Sequence, residues 1–198
     1  VQAFSVVHVN TFVMIGGYFA IDKVFQAARL GKLWKQVAFY SILICLLNAV
    51  TIGVTRTDVV KAIFPISAKT YWFASVYMGL LVLMPFVSMV AARMTRRQYQ
   101  YLLGALTLFL SVNHMIFRVD TYGTFSGREL PWFIFLTLLA GYVKLHTKED
   151  RHYAWYGFAG YVVSSLAVLA SVYLSVKTHQ EDIGYFLNYN SPLALLGT

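Results

Sequence analysis

The stretch YWFASVYMGLLVLMPFVSMVAA, residues Tyr71–Ala92, runs 22 residues without a formal charge, with Lys69 before it and Arg93 after it. At ~1.5 Å rise per residue a helix of that length reaches roughly 33 Å, enough to cross a hydrocarbon core of about 30 Å. Tyr71 and Trp72 mark one end, where amphipathic rings favour the headgroup layer, and Arg93, Arg96 and Arg97 crowd the other. Positive residues gather on the cytoplasmic side, so the arginine end is expected inside. Pro85 has no N–H for the carbonyl of Leu81, which predicts a kink in the inner half that serves packing.

The rest of the chain reads in the same terms. It is 59% hydrophobic and 12% charged, with a mean hydropathy of +0.62, which is too apolar for an ordinary soluble domain. The net charge of +8 comes from Lys and Arg lying in short segments between apolar runs. Orientation in a membrane explains that pattern without a nucleic-acid partner. The lone Cys45 excludes an intrachain disulfide. The chain opens on Val1 and closes inside an apolar run, so both ends are expected to be cuts in a longer protein.

Outward from the organising stretch, Val37–Val54 precedes it as a span and Val1–Ile21 precedes that. In the first of these, Gly16 and Ala20 form a small-xxx-small face for another helix. Tyr99–Phe117 and Tyr153–Val176 follow as spans, the latter with Gly160 and Ser164 as a second small face. Pro131 suits the first turn of a further helix, but only 14 uncharged residues, Leu130–Val143, precede Lys144. Lys144 could snorkel and so lengthen this span, or the segment could be re-entrant. Ser191–Thr198 begins a seventh apolar segment. The expectation is an all-α, polytopic transmembrane bundle of about six complete spans plus the start of a seventh, one domain over residues 1–198. Alternation puts ten Lys and Arg on the inner side and six on the outer, as the positive-inside rule favours.

Ionisable and polar residues at membrane depth are costly and mark candidate sites. In the fourth span Thr107, Ser111, His114 and Arg118 are spaced four, three and four apart, which places them on one helical face. His114 and Arg118, with Asn113 beside them, approach the outer surface. His8 and Asn10 lie at similar depth in the first span and could line the same cavity. The alternative is that these side chains bond neighbouring helices without further role. Histidine is suited to proton transfer near neutral pH, but a lone histidine also serves as a structural hydrogen bonder. On the inner side Arg29, Lys32 and Lys35 accompany Arg93 and Arg96. Clustered cations can hold phosphates, and they also follow from topology alone. No phosphate-binding glycine loop, metal-spaced Cys/His set or nucleophile elbow is present.

The string VNTFVMIGGYFA resembles the FFxxSGYF hallmark of the second span in acyltransferase family 3, with Gly16 in place of the hallmark serine. KLWKQVAFYSILI, YWFASVYMGLLVLMPF, LPWFIFLTLLAGYVKLH and NYNSPLALLGT follow in the family's order, and the last three are similar to its polysaccharide-acetylating branch. The resemblance implies an integral membrane O-acyltransferase of the inner or plasma membrane that takes acetyl from acetyl-CoA on the cytoplasmic side and gives it to a sugar hydroxyl of a cell-surface or exported glycan. It implies no tightly bound cofactor and no metal. It puts the catalytic histidine in a span preceding Val1, so His8 does not inherit that role. The family's cytosolic Arg-x-x-Arg is met in part by Arg29 with Lys32, and Arg93 with Arg96 repeats the spacing in a later segment. Arg29, Lys32, Lys35, Arg93 and Arg96 are therefore the donor-side candidates. His8, Asn10, Asn113, His114 and Arg118 are the acceptor-side candidates. Two rivals stand beside the enzyme: a transporter or flippase of lipid-linked glycans, whose polar stripe would line a path, and a structural membrane subunit.

Overall fold

The computed structural model describes residues 7–117, 119, 121–147, 153–177 and 188–198. Helices account for the architecture: α1 (His8–Ala20), α2 (Ala27–Thr51), α3 (Arg56–Ile63), α4 (Trp72–Arg93), α5 (Arg96–Phe117), α6 (Leu130–His146), α7 (Tyr153–Lys177) and α8 (Pro192–Leu196). Among the described residues α2, α4, α5 and α7 are long and apolar enough to cross a membrane. α1 and α6 are shorter apolar helices, of 13 and 17 residues.

Their ends follow local chemistry. Thr55 caps α3 and Thr95 caps α5, each in a reciprocal capping box, with Asp58 and Gln98 as the returning side chains. Pro131 and Pro192 occupy first turns, where their missing N–H costs no intrahelical bond. α4 runs on through Pro85 as one helix. α2 starts well before the expected span, so Arg29, Lys32 and Lys35 lie on its first turns and not in a loop.

Packing divides the chain into two compact units, Val1–Lys23 with Val87–Thr198 and, separately, Val24–Phe86. In unit 1 the core is α6. Trp132, Phe133, Phe135 and Leu136 have no exposure at all. From Trp132 to Gly141 this helix buries most of its circumference, which suits its apolar sequence there.

α1 and α6 run in the same direction, in contact from end to end. Asn10 meets Trp132 at one end and Asp22 meets Lys144 at the other. Both pairs are separated by the same 12 residues along their own helix, about 18 Å. Alternating crossings require that parallel direction, and α6 is one continuous helix of 17 residues. On α1, Gly17 makes a close contact with α6. A Cβ on Gly17 would lie 3.0 Å from the Cα of Thr137, a backbone atom that cannot step aside. Gly160 and Ser164 do form a contact face. A Cβ on Gly160 would lie 2.9 Å from the Leu196 carbonyl oxygen, and the Ser164 hydroxyl donates to the Leu193 carbonyl.

Unit 2 consists of α2, α3 and the first part of α4. α3 packs against α2, Pro65 is fully buried, and the Ser75 hydroxyl donates to the Ile66 carbonyl at 2.9 Å, tying the turn after α3 to α4.

Candidate functional site

The polar residues of unit 1 converge on one short segment, Asn188–Ser191, just before α8. Ser191 caps α8 by accepting from the Ala194 N–H at 3.1 Å, and this fixes the preceding backbone. Two consecutive carbonyls of that backbone are then taken from two different helices. Asn10 of α1 donates from Nδ2 to the Tyr189 carbonyl at 2.8 Å, and Ser111 of α5 donates from Oγ to the Asn190 carbonyl at 2.7 Å.

The other side of Asn10 is equally fixed. Its Oδ1 accepts from Trp132 Nε1 at 3.0 Å, so one asparagine joins α1, α6 and the segment before α8. Asn10 is wholly buried. Inside an apolar bundle its amide would be expensive if unpaired, and both of its ends are paired.

Asn190 is the second hinge of the knot. Its Nδ2 donates to the Leu110 carbonyl at 3.2 Å and to Thr124 Oγ1 at 3.0 Å. The Leu110 carbonyl can only accept, so the amide orientation follows from the network. The Oδ1 of Asn190 has no hydrogen-bond partner among the described residues. This acceptor could take a bond from a hydroxyl entering the knot.

Leu110 lies in a π-helical turn, Leu108–Val112, within α5. Such turns interrupt the ordinary backbone ladder and occur often at functional sites. The turn also shifts the register of α5, so the four-three-four stripe does not present one uniform face. Ser111 and His114 are buried, Thr107 is half-buried with its hydroxyl on the Leu103 carbonyl at 2.8 Å, and Asn113 is half-buried. Arg118 lies outside the described residues, as does Asp120.

The approach to the knot is built by the turn before α6. Ser126 (φ 62°) and Gly127 (φ 81°) adopt left-handed backbone. A Cβ on Gly127 would lie 2.7 Å from the Asn190 nitrogen, so only glycine lets the two segments close. The Ser126 carbonyl accepts from the Tyr189 N–H at 3.1 Å. Around the Tyr189 ring stand His8, edge-on with centroids 5.9 Å apart, and the Arg128 guanidinium 5.7 Å from the ring centre. His8 is exposed and Asn10 is not.

At the far end of the same unit lies a second polar set. Arg96 donates from Nε to the Tyr142 hydroxyl at 3.3 Å and Gln100 donates to it at 2.7 Å, while Tyr99, Tyr142 and His146 pack ring against ring. Lys144 pairs with Asp22 at 2.7 Å and lies 5.1 Å from the Tyr18 ring centre. That bond holds the Asp22 carboxyl below its ordinary range. Lys144 thus lays its stem by the Tyr18 ring and places its ammonium on a carboxylate just beyond α1.

The acceptor-side candidate Asn10 and the stripe residue Ser111 are brought onto adjacent carbonyls, with the candidate His8 beside the same tyrosine. Of the donor-side candidates, Arg93 and Arg96 flank one turn in unit 1, and Arg29, Lys32 and Lys35 share the first turns of α2 in unit 2; all five are exposed. Sequence reasoning missed Trp132, Thr124, Tyr189 and Asn190. The one available signal was the Asn-Tyr-Asn-Ser-Pro string, whose last two residues announce a helix start. Among the described residues no group of three His, Cys, Asp or Glu could hold a metal ion.

A family model described as an acyltransferase domain matches residues 1–198. No curated protein and no solved structure matches the chain.

Proposed function

The chain belongs to acyltransferase family 3, and from that premise we propose that it serves an O-acetyl transfer from acetyl-CoA to a sugar hydroxyl of a cell-surface or exported polysaccharide, across the inner or plasma membrane. The observation that carries the reading is the polarity of unit 1: a buried hydrogen-bonded knot at one end and, about 18 Å away along α1 and α6, an end bearing Lys23, Arg96, Arg97 and Lys144.

The two ends suit two substrates. Arginine and lysine match the phosphates of a donor held in the cytoplasm. Its acyl group must then travel far from those phosphates. The long flexible arm of an acyl-CoA permits this, whereas an acyl phosphate carries the acyl group directly on the charge. In this reading a sugar docks beside the knot, against the Tyr189 ring with His8 and Arg128 around it. His8, Asn10, Asn113, His114 and Arg118 are the acceptor-side residues in this reading, and Arg29, Lys32, Lys35, Arg93 and Arg96 the donor-side ones.

In the transfer the acceptor hydroxyl oxygen bonds to the thioester carbonyl carbon and the carbon–sulfur bond breaks. The hydroxyl proton passes to a base, and CoA leaves as the thiol. The described residues position these groups, and the role of base is assigned to none of them. The test incubates membranes containing the protein with acetyl-labelled acetyl-CoA and isolated glycan. Label on glycan oxygen is the expected result. Inserted, folded protein that moves no label overturns the reading.

A further inference from the structure

Unit 2 contains a cleft of about 330 Å³ lined by α2, α3 and the approach to α4. It lies away from the Arg29–Lys35 end of α2, since its α2 lining runs from Ser41 to Ile52. Ser41, Cys45, Asn48 and Ile52 recur three or four residues apart and so form one helical stripe. From Asn48 to Ser41 that stripe descends about 10 Å, which takes the cleft from the interface into hydrocarbon depth.

Its mouth carries charge of both signs. Asp58 and Lys61 are three residues apart on α3, hence on one face, and both line the cleft. The Asp58 carboxylate is fixed by its capping box, accepting from the Thr55 hydroxyl at 2.6 Å and the Thr55 N–H at 3.0 Å. Those bonds keep it below the ordinary carboxyl range and therefore charged. Lys61 forms no ion pair among the described residues. Asn48, Thr70 and Tyr71 add neutral donors beside it. Outside the cleft the same part of α2 is bare and apolar, with Leu46, Leu47 and Val50 all more than half exposed.

We propose that this cleft binds one phospholipid with an ethanolamine headgroup: phosphate on Lys61, Thr70 and Tyr71, ammonium on Asp58, and an acyl chain along α2. A zwitterion matches the paired charges. An anionic headgroup would satisfy Lys61 and leave Asp58 repelled, and a choline headgroup has no N–H for the carboxylate. The volume, roughly that of eleven liquid waters, suits a headgroup and not a whole lipid, whose chains would remain in the bilayer.

The experiment strips the purified protein of lipid in detergent and titrates it with short-chain phosphatidylethanolamine, phosphatidylcholine, phosphatidylglycerol and, separately, inorganic phosphate. Saturable binding of the ethanolamine lipid, at least about fivefold tighter than the other two lipids, is expected. Lys61→Gln should weaken it about tenfold by removing a charge-assisted contact. Asp58→Asn keeps a capping side chain and should erase the preference while leaving binding of all three lipids. Cys45→Trp fills the cleft from α2 and should abolish binding in a protein that still unfolds cooperatively. No saturable binding to wild type, equal affinity for the three lipids, full binding by Lys61→Gln, or inorganic phosphate binding as tightly as the lipid would each overturn the proposal.

Discussion

The knot in unit 1 and the basic first turns of α2 in unit 2 are both polar features of an apolar chain, and they are polar in opposite ways. Asn10, Ser111, Trp132 and Asn190 are desolvated, carry no net charge and are fixed by bonds to residues far away in sequence. Arg29, Lys32 and Lys35 are exposed, charged and arranged by helical spacing alone. A buried network holds geometry because each missing bond leaves an unsatisfied group in a medium that cannot repay it. An exposed cation holds no geometry and attracts an anion. Position should therefore fail when the knot is cut, and affinity should fail when the charges are removed.

The largest effect is expected at Asn190. Asn190→Ala removes its donations to the Leu110 carbonyl and the Thr124 hydroxyl, two buried hydrogen bonds worth about 0.5–1.5 kcal/mol each. Acetylation per inserted protein should fall at least about tenfold with a clear loss of thermal stability. Asn190→Asp should be no better, because a carboxylate cannot donate to a carbonyl. A variant with Asp that kept full activity would show that shape alone matters there, and the comparison would break.

Trp132→Phe comes next. It keeps the bulk in the core of α6 and removes the Nε1–H bonded to Asn10, so it isolates one bond. About 1–3 kcal/mol of stability should go, with acetylation reduced and the donor KM unchanged. A shifted donor KM would mean that the knot and the donor are not separate.

How much of this contrast was legible in the sequence depends on which physics fixed it. The basic cluster was legible because charge is a local property, although its residues lie on the first turns of α2 and not in the expected loop. So were the long spans, since an uncharged run of 20 or more residues has one stable home. α6 was the least legible helix and proved to be the core. Uniformly apolar sequence gives no face to orient it, and the partner of Lys144, Asp22, lies 122 residues away. The close contact at Gly17 depended on Thr137, a residue on another helix. The knot depended on partners 79 and 179 residues away. The π-helical turn carries no sequence signal that would have placed it. Interfacial and contact-dependent features of this kind are set by packing, and packing is what a linear reading lacks.

On the basic side, Arg29→Ala and Lys32→Ala should each raise the apparent donor KM by roughly tenfold, the size of a charge-assisted bond to a phosphate of about 1.5 kcal/mol. Stability should stay within about 0.5 kcal/mol, as for other exposed substitutions. Unchanged KM in both variants would return these residues to orienting the protein in the membrane. Destabilisation would show that they are fixed in the manner of the knot.

The smallest effect tests a pair that lies between these extremes. Lys144 and Asp22 are charged like the basic turns, yet hold a specific bond between α6 and the end of α1 like the knot. The Asp22 carboxyl is depressed first by the bond from Lys144, so the folded state favours its ionised form. A group depressed on folding contributes stability that is fully present above its unfolded value, near 3.9, and is lost as pH falls through the lower folded value. Thermal unfolding followed from pH 7 down to pH 3 should therefore show a modest extra loss in the wild type at the acid end. Asp22→Asn, which cannot titrate, should start slightly lower at pH 7 and lack that increment, and Lys144→Met should resemble it. Both side chains keep some solvent contact, so screening by salt should shrink the difference between the curves. Coincident acid limbs for wild type and Asp22→Asn would mean that the bond between the two helix ends carries no linkage, and that α1 and α6 are held parallel by Gly17 against Thr137 and by the knot alone.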